Sequence, residues 1–176
     1  GGSRSRRQIL WETLISFLSS QHNNIPRIRR CIRLLCEAYG TPLDGSPDLH
    51  SFPTAKALAA ADEEALRRCN LGYRAKYVLA TARSVAGGQI SLDAIRNMEF
   101  PEAREALMEF YGVGVKVADC VCLFALHHLE AFPVDTHIRQ VLEREYPEGF
   151  PFSAYAPLAG ILQQYMFYHE LTCSPS

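Results

Sequence analysis

At 176 residues the chain is one domain or two closely packed lobes, long enough to bury roughly 70% of its unfolded surface. Hydrophobic residues make up 48% and charged residues 21%, ordinary values for a globular protein, and no stretch approaches the roughly 20 apolar residues of a membrane span. A formal charge of −1 argues against a protein that coats nucleic acid by global attraction.

The pattern reads helical almost throughout. The opening GGSRSRRQ lacks an apolar signal core, so no secretion signal is expected. Residues 8–20 place Leu10, Leu14 and Phe17 on one face at three- and four-residue steps. Asn23 or Asn24 can cap a second helix, with Pro26 in its first turn and Gly40 just past its end. TPLDGSPDLHSFP (41–53) reads as a loop, and short helices are expected at 54–60 and 62–68. LGY (71–73) turns into a helix over 74–87, closed by Gly87 and Gly88. Ser91 can cap another short helix, and Pro101 can start the next. Residues 101–127 then give a helix, a tight YGVGV turn and a second apolar helix. Pro133 and Asp135 introduce a helix near 136–145, and a last one spans 154–171. No pair of alternating runs suggests a sheet. The expected class is all-α, a single helical domain over 1–176 without internal repeats.

Charge is uneven along this order. Residues 1–40 hold seven arginines, Arg4, Arg6, Arg7, Arg27, Arg29, Arg30 and Arg33, against Glu12 and Glu37. That excess permits a phosphate-facing patch, although a solvated helix face explains it as well. The six cysteines include no CxxC pair, and the six histidines lack ligand spacing, so no metal site or cofactor is expected. Buried reduced thiols of an intracellular protein are the simpler reading.

In YGVGVK, Gly112 and Gly114 permit backbone angles closed to other residues and leave amides uncovered at a helix start. Such amides suit an anion such as a DNA phosphate, while mere packing of two helices would use glycine equally. Val113 and Val115 fit a hairpin wedged against the fold. Lys116 follows in the first turn of the second helix. A cation there meets the positive end of the helix dipole, which disfavours its charge by a few tenths of a kcal/mol. A free lysine amine is only ~0.04% neutral at pH 7, a handicap of about 4.6 kcal/mol for a nucleophile. Partial burial is therefore expected of a lysine that attacks. Asp135, in FPVDTHI, has the place of an ordinary helix cap, and a capped carboxylate also stays ionised and fixed in aim. Such an anion can stabilise a sugar cation forming as a base departs.

GVGVKVADC, followed nineteen residues after its lysine by the aspartate of PVDTH, resembles the helix-hairpin-helix DNA glycosylase superfamily. SSQHNNIPRI (19–28), LGYRAKYV (71–78) and AGILQQYMFYHEL (159–171) are similar to its 8-oxoguanine DNA glycosylase/AP lyase branch, so the resemblance covers nearly the whole chain. It implies two helical lobes with a cleft between them. It also implies a monomer acting on double-stranded DNA with the genome, in the cytoplasm of a prokaryote or the nucleus of a eukaryote. Lys116 would attack C1′ and expel the base, and the Schiff base would permit β-elimination. Asp135 would stabilise the cationic transition state. Tyr73 would wedge beside the base opposite the lesion, and Arg74 with Arg27 would contact that base, usually cytosine. Gln163 and Phe167 would hold the flipped purine, with Cys120 covering its other face. His137 would contact a phosphate, and the Gly112 and Gly114 amides the DNA backbone.

Two departures from the family pattern bear on specificity. His22 stands where the family usually has another asparagine before Asn23, the residue that fills the gap left by base extrusion. The β-rich N-terminal lobe of the typical eukaryotic-like enzyme, which supplies a lesion-reading contact, has no counterpart here. Two other readings compete. An endonuclease III-like glycosylase for oxidised pyrimidines would share VDTHI and the hairpin lysine, but the chain shows no C-terminal cysteine cluster. A catalytically silent helix-hairpin-helix DNA-binding module would need neither Lys116 nor Asp135.

Overall fold

A computed structural model describes residues 5–128 together with Arg144, Pro147 and Glu148. Five of the described helices start where a short polar side chain takes over an orphaned amide. Ser5 accepts from the Gln8 amide at 3.1 Å and opens α1 (Arg6–Ser20). Asn24, one of the two expected caps, accepts from Arg27 at 3.0 Å and opens α2 (Ile25–Tyr39), which Gly40 ends. Thr54 and Asp62 cap two short helices, α3 (Ala55–Ala59) and α4 (Glu63–Leu66). Ser91 caps α6 (Leu92–Arg96), which follows α5 (Ala75–Ala86) and its Gly87 stop.

Between α2 and α3 the structure departs from the expected loop. Pro42–Leu43 (β1) and Ser46–His50 (β2) pair antiparallel through a tight reversal at Gly45, whose φ is +76°. Both strands are short and largely exposed, so no buried alternation announced them. Between α4 and α5 the chain forms a wide turn over Arg67–Leu71 and a tight one over Gly72–Arg74. Asn70 and Gly72 adopt φ values of +66° and +56°, which these two residue types tolerate best. Cys31 donates its thiol to the Asn70 carbonyl at 3.1 Å and ties the turn to α2.

The hairpin is as expected: α7 (Phe100–Met108), a turn through Tyr111–Gly114, and α8 (Val115–Leu126). Helix α1 packs on α8, α2, α6 and α5 and forms the centre of the described fold. Leu10, Leu14 and Leu18 are wholly buried along it, each contributing roughly 1.5–3 kcal/mol of burial free energy. Phe17 stacks on Phe124 of α8 with ring centroids 5.8 Å apart. The hairpin is thereby seated on the helix whose end leads to His22 and Asn23. No helix among the described residues is long and apolar enough to cross a membrane. Apart from Arg144, the expected helices near 136–145 and 154–171 lie outside the described residues.

Candidate nucleic-acid interface

The glycine turn is asymmetric. Gly112 has φ +86°, and a Cβ on it would lie 2.3 Å from the Tyr77 ring. Glycine is required there on two counts. Gly114 has φ −93° and open space where a Cβ would be, so the expected special backbone angle applies to Gly112 alone. What Gly114 provides is access. It caps α8 without any side-chain hydrogen bond to the first-turn amides, which leaves that helix start suited to an anion. Val113 is buried as the wedged hairpin requires, but Val115 is 49% exposed and points away from the core.

Lys116 stands in the first turn of α8 and is exposed. The partial burial expected of the attacking amine is not present at this position, where Gly114, Val115 and Lys116 at the start of α8 are all exposed. Val117, Ala118, Asp119, Cys120 and Val121 are all buried immediately after it. Cys120, expected to cover one face of the flipped base, is fully enclosed. Asp119, one turn beyond Lys116, was not singled out from sequence. It receives two bonds from Arg104 of α7, Nε to Oδ1 at 2.6 Å and Nη2 to Oδ2 at 3.2 Å. The Arg104 guanidinium also lies 4.6 Å from the Phe100 ring centroid. A carboxylate inside the apolar run KVADCVCLFAL is the signal that could have exposed this pair, since buried charge demands a partner.

The residues expected to face the opposite strand gather around the end of α1. His22 is exposed and holds φ +48°, a left-handed conformation uncommon among residues other than glycine. The Asn23 amide donates to Ser19 O at 3.2 Å, and its Oδ1 accepts from the Asn24 amide at 3.0 Å. Asn23 thus braces the turn. Tyr73 is 41% exposed, consistent with a wedge. Arg74 behaves differently from the expected base contact: it is buried, and its guanidinium donates to three main-chain carbonyls. The distances are 2.6 Å to Gln21 O, 2.8 Å to His22 O and 3.3 Å to Leu71 O. It also lies 4.6 Å from the Tyr73 ring centroid. Arg27 is exposed in the first turn of α2.

Two further residues escaped the sequence reading. Gln21 donates its side-chain amide to Gly112 O at 3.0 Å, across 91 positions. The Tyr77 ring meets Tyr73 edge-on at 6.3 Å and Tyr111 at 5.1 Å. Local periodicity carries no trace of such distant pairs. Asp135, His137, Gln163 and Phe167 lie outside the described residues. No cluster of His, Cys, Asp or Glu able to hold a metal occurs among the described residues. A surface depression of about 380 Å³, lined by Ser5, Gln8, Trp11, Lys56 and Leu92, lies at the opposite end of α1 from these turns.

Comparison with known proteins places this arrangement. An N-glycosylase/DNA lyase of Saccharomyces cerevisiae is 43% identical over 159 residues, which cover 82% of this chain and 42% of that protein. A probable N-glycosylase/DNA lyase of Methanothermobacter thermautotrophicus is 30% identical over 90% of this chain and 60% of its own length. The 8-oxoguanine glycosylase/lyase of Clostridium acetobutylicum, solved with double-stranded DNA containing cytosine opposite 8-oxoguanine, superposes with a TM-score of 0.73. It is 33% identical, over 94% of this chain and 61% of that one. The chain thus spans between two fifths and about three fifths of the length of these relatives. The HhH-GPD family matches residues 15–148, and the chain belongs to this superfamily of base excision DNA repair proteins.

Proposed function

We propose that the protein is a bifunctional DNA glycosylase and AP lyase that excises 8-oxoguanine paired with cytosine from duplex DNA. The observation that carries this reading is the position of Lys116, exposed in the first turn of α8 directly beyond a glycine turn whose last residue, Gly114, has no side chain to cover the helix start. A phosphate held by those amides would bring a sugar of the same strand beside the amine. The names of the yeast and Clostridium relatives support the same chemistry.

In this reading the target base leaves the stack, at a cost of a few kcal/mol that pocket contacts and gap-filling side chains offset. The Lys116 amine attacks C1′, the purine departs, and the Schiff base allows loss of the 3′ phosphate by β-elimination. Asp135 is assigned to the developing positive charge, His137 to a phosphate, and Gln163 with Phe167 to the extruded purine. His22, Asn23 and Tyr73 occupy the vacated stack and its flank. Arg27 remains the exposed cation for the opposite base, whereas Arg74 supports the turn from behind. Exposure of Lys116 means that bound DNA itself, rather than the protein alone, must exclude water around the amine.

Borohydride trapping on a duplex with 8-oxoguanine opposite cytosine tests the proposal. A covalent adduct is expected with the wild type and none with Lys116→Gln. An equal yield from Lys116→Gln would eliminate the nucleophile. Base release without strand cleavage would remove the lyase half, and preference for an oxidised pyrimidine in the same assay would select the endonuclease III-like alternative.

A further inference from the structure

Three turns that are far apart in sequence are tied into one body at the end of α1. The turn at Gln21–Asn23 follows α1, the turn at Gly72–Arg74 precedes α5, and the turn at Tyr111–Gly114 joins the hairpin helices. Arg74 joins the first two through the carbonyls of Gln21 and His22, at 2.6 and 2.8 Å. Gln21 joins the first to the third through Gly112 O at 3.0 Å. A carbonyl only accepts, so the amide nitrogen of Gln21 is the group that must face it. Tyr77 joins the second to the third: its ring touches Tyr73 on one side and Tyr111 on the other, and it occupies the space where Gly112 has no Cβ.

We infer that Gln21 and Tyr77 are positioning residues, which hold the His22 and Tyr73 turns in fixed register with the hairpin that carries Lys116. This rests on the function proposed above. Residues facing the strand opposite the lesion and the amine acting on the damaged strand then belong to one rigid unit. A wrong opposite base displaces His22 or Tyr73, and Gln21 and Tyr77 pass that displacement to Gly112, four residues before the nucleophile. Discrimination of the opposite base therefore depends on two side chains that need not touch it.

The test is the ratio of single-turnover cleavage rates with cytosine and with adenine opposite 8-oxoguanine. This ratio does not depend on the fraction of protein that is folded and active, so a merely destabilising change leaves it alone. Gln21→Glu keeps the shape but replaces the donor by an acceptor, and Tyr77→Leu removes the ring; each is expected to lower the ratio about three- to tenfold, the factor one net hydrogen bond or ring contact supplies. Tyr77→Phe keeps both ring contacts and the wild-type ratio. Unchanged ratios in Gln21→Glu and Tyr77→Leu overturn the inference while leaving the glycosylase reading intact. Absence of any adduct with the wild type removes both. Hydrogen exchange of the protein without DNA gives a second readout. Gln21→Glu should accelerate exchange in peptides 69–75 and 109–115 together, and acceleration in neither would also overturn the inference.

Discussion

Arg104 grips Asp119 with two parallel bonds, and the pair clasps the two helices of the hairpin one turn beyond Lys116. The Asp119 side chain is only 10% exposed, whereas that of Arg104 is 37% exposed. Removing the arginine leaves an enclosed carboxylate without its counter-charge. Replacing Asp119 by asparagine leaves an acceptor in place. We expect Arg104→Met to cost about 2–3 kcal/mol, discounted for the open side of the arginine, and Asp119→Asn about 1–2 kcal/mol. Urea denaturation of the two variants checks the order. Equal, small losses would mean that the clasp adds nothing to the hairpin.

The two turn glycines should separate cleanly. Gly112→Ala combines a left-handed backbone penalty of roughly 1–2 kcal/mol with overpacking against Tyr77 of roughly 1–3 kcal/mol. A total loss of about 2–5 kcal/mol in stability is expected. Gly114→Ala should stay within about 1 kcal/mol of wild type, since its φ is −93° and its side is open. Its effect should appear instead as weaker DNA binding, where a methyl group intrudes beside the amides. Thermal unfolding and a salt-controlled binding titration distinguish the two. Similar stability losses at both positions would contradict the asymmetry.

Burial pushes the Cys31 and Cys69 thiols above their ordinary range. Arg74 and Arg27 pull Cys31 back only in part, and Cys31 raises Cys69 further. The folded state thus holds these two protons more tightly than the unfolded chain does. Their contribution to stability is complete below the ordinary thiol pKa of about 8.5 and is lost as pH rises through the higher folded values. Wild-type urea midpoints should therefore fall more steeply between pH 8 and pH 10 than those of the Cys31→Ala, Cys69→Ala double variant, each compared with its own midpoint at pH 7.5. Parallel slopes would show that the thiols do not contribute.

Much of the helical order was legible in the residues, for a local reason. Asn24 and Ser91, both expected as caps, each reach an amide three residues ahead in the chain, as Ser5, Thr54 and Asp62 also do, and such signals need no knowledge of the rest. The glycine turn and Lys116 were legible for the same reason. The small sheet at 42–50 was not, because its exposed residues carry no alternation. Nor was the inward turn of Arg74. A cation beside an exposed tyrosine reads as a surface pair until three carbonyls converge on it. Gln21 with Gly112, and Arg104 with Asp119, depend on tertiary placement alone. The exposure of Lys116 likewise goes with its place at the start of α8, where Gly114 and Val115 are exposed as well, a boundary that the apolar run after the lysine does not announce.

The guanidinium of Arg74 donates to the main-chain oxygens of Gln21 and His22 without using the imidazole of His22. The bend keeps its shape whatever side chain residue 22 bears, provided that the backbone tolerates φ +48°. Evolution could thus retune what this bend shows to a partner by single substitutions, with asparagine or glycine the least strained replacements, while the support beneath stays unaltered.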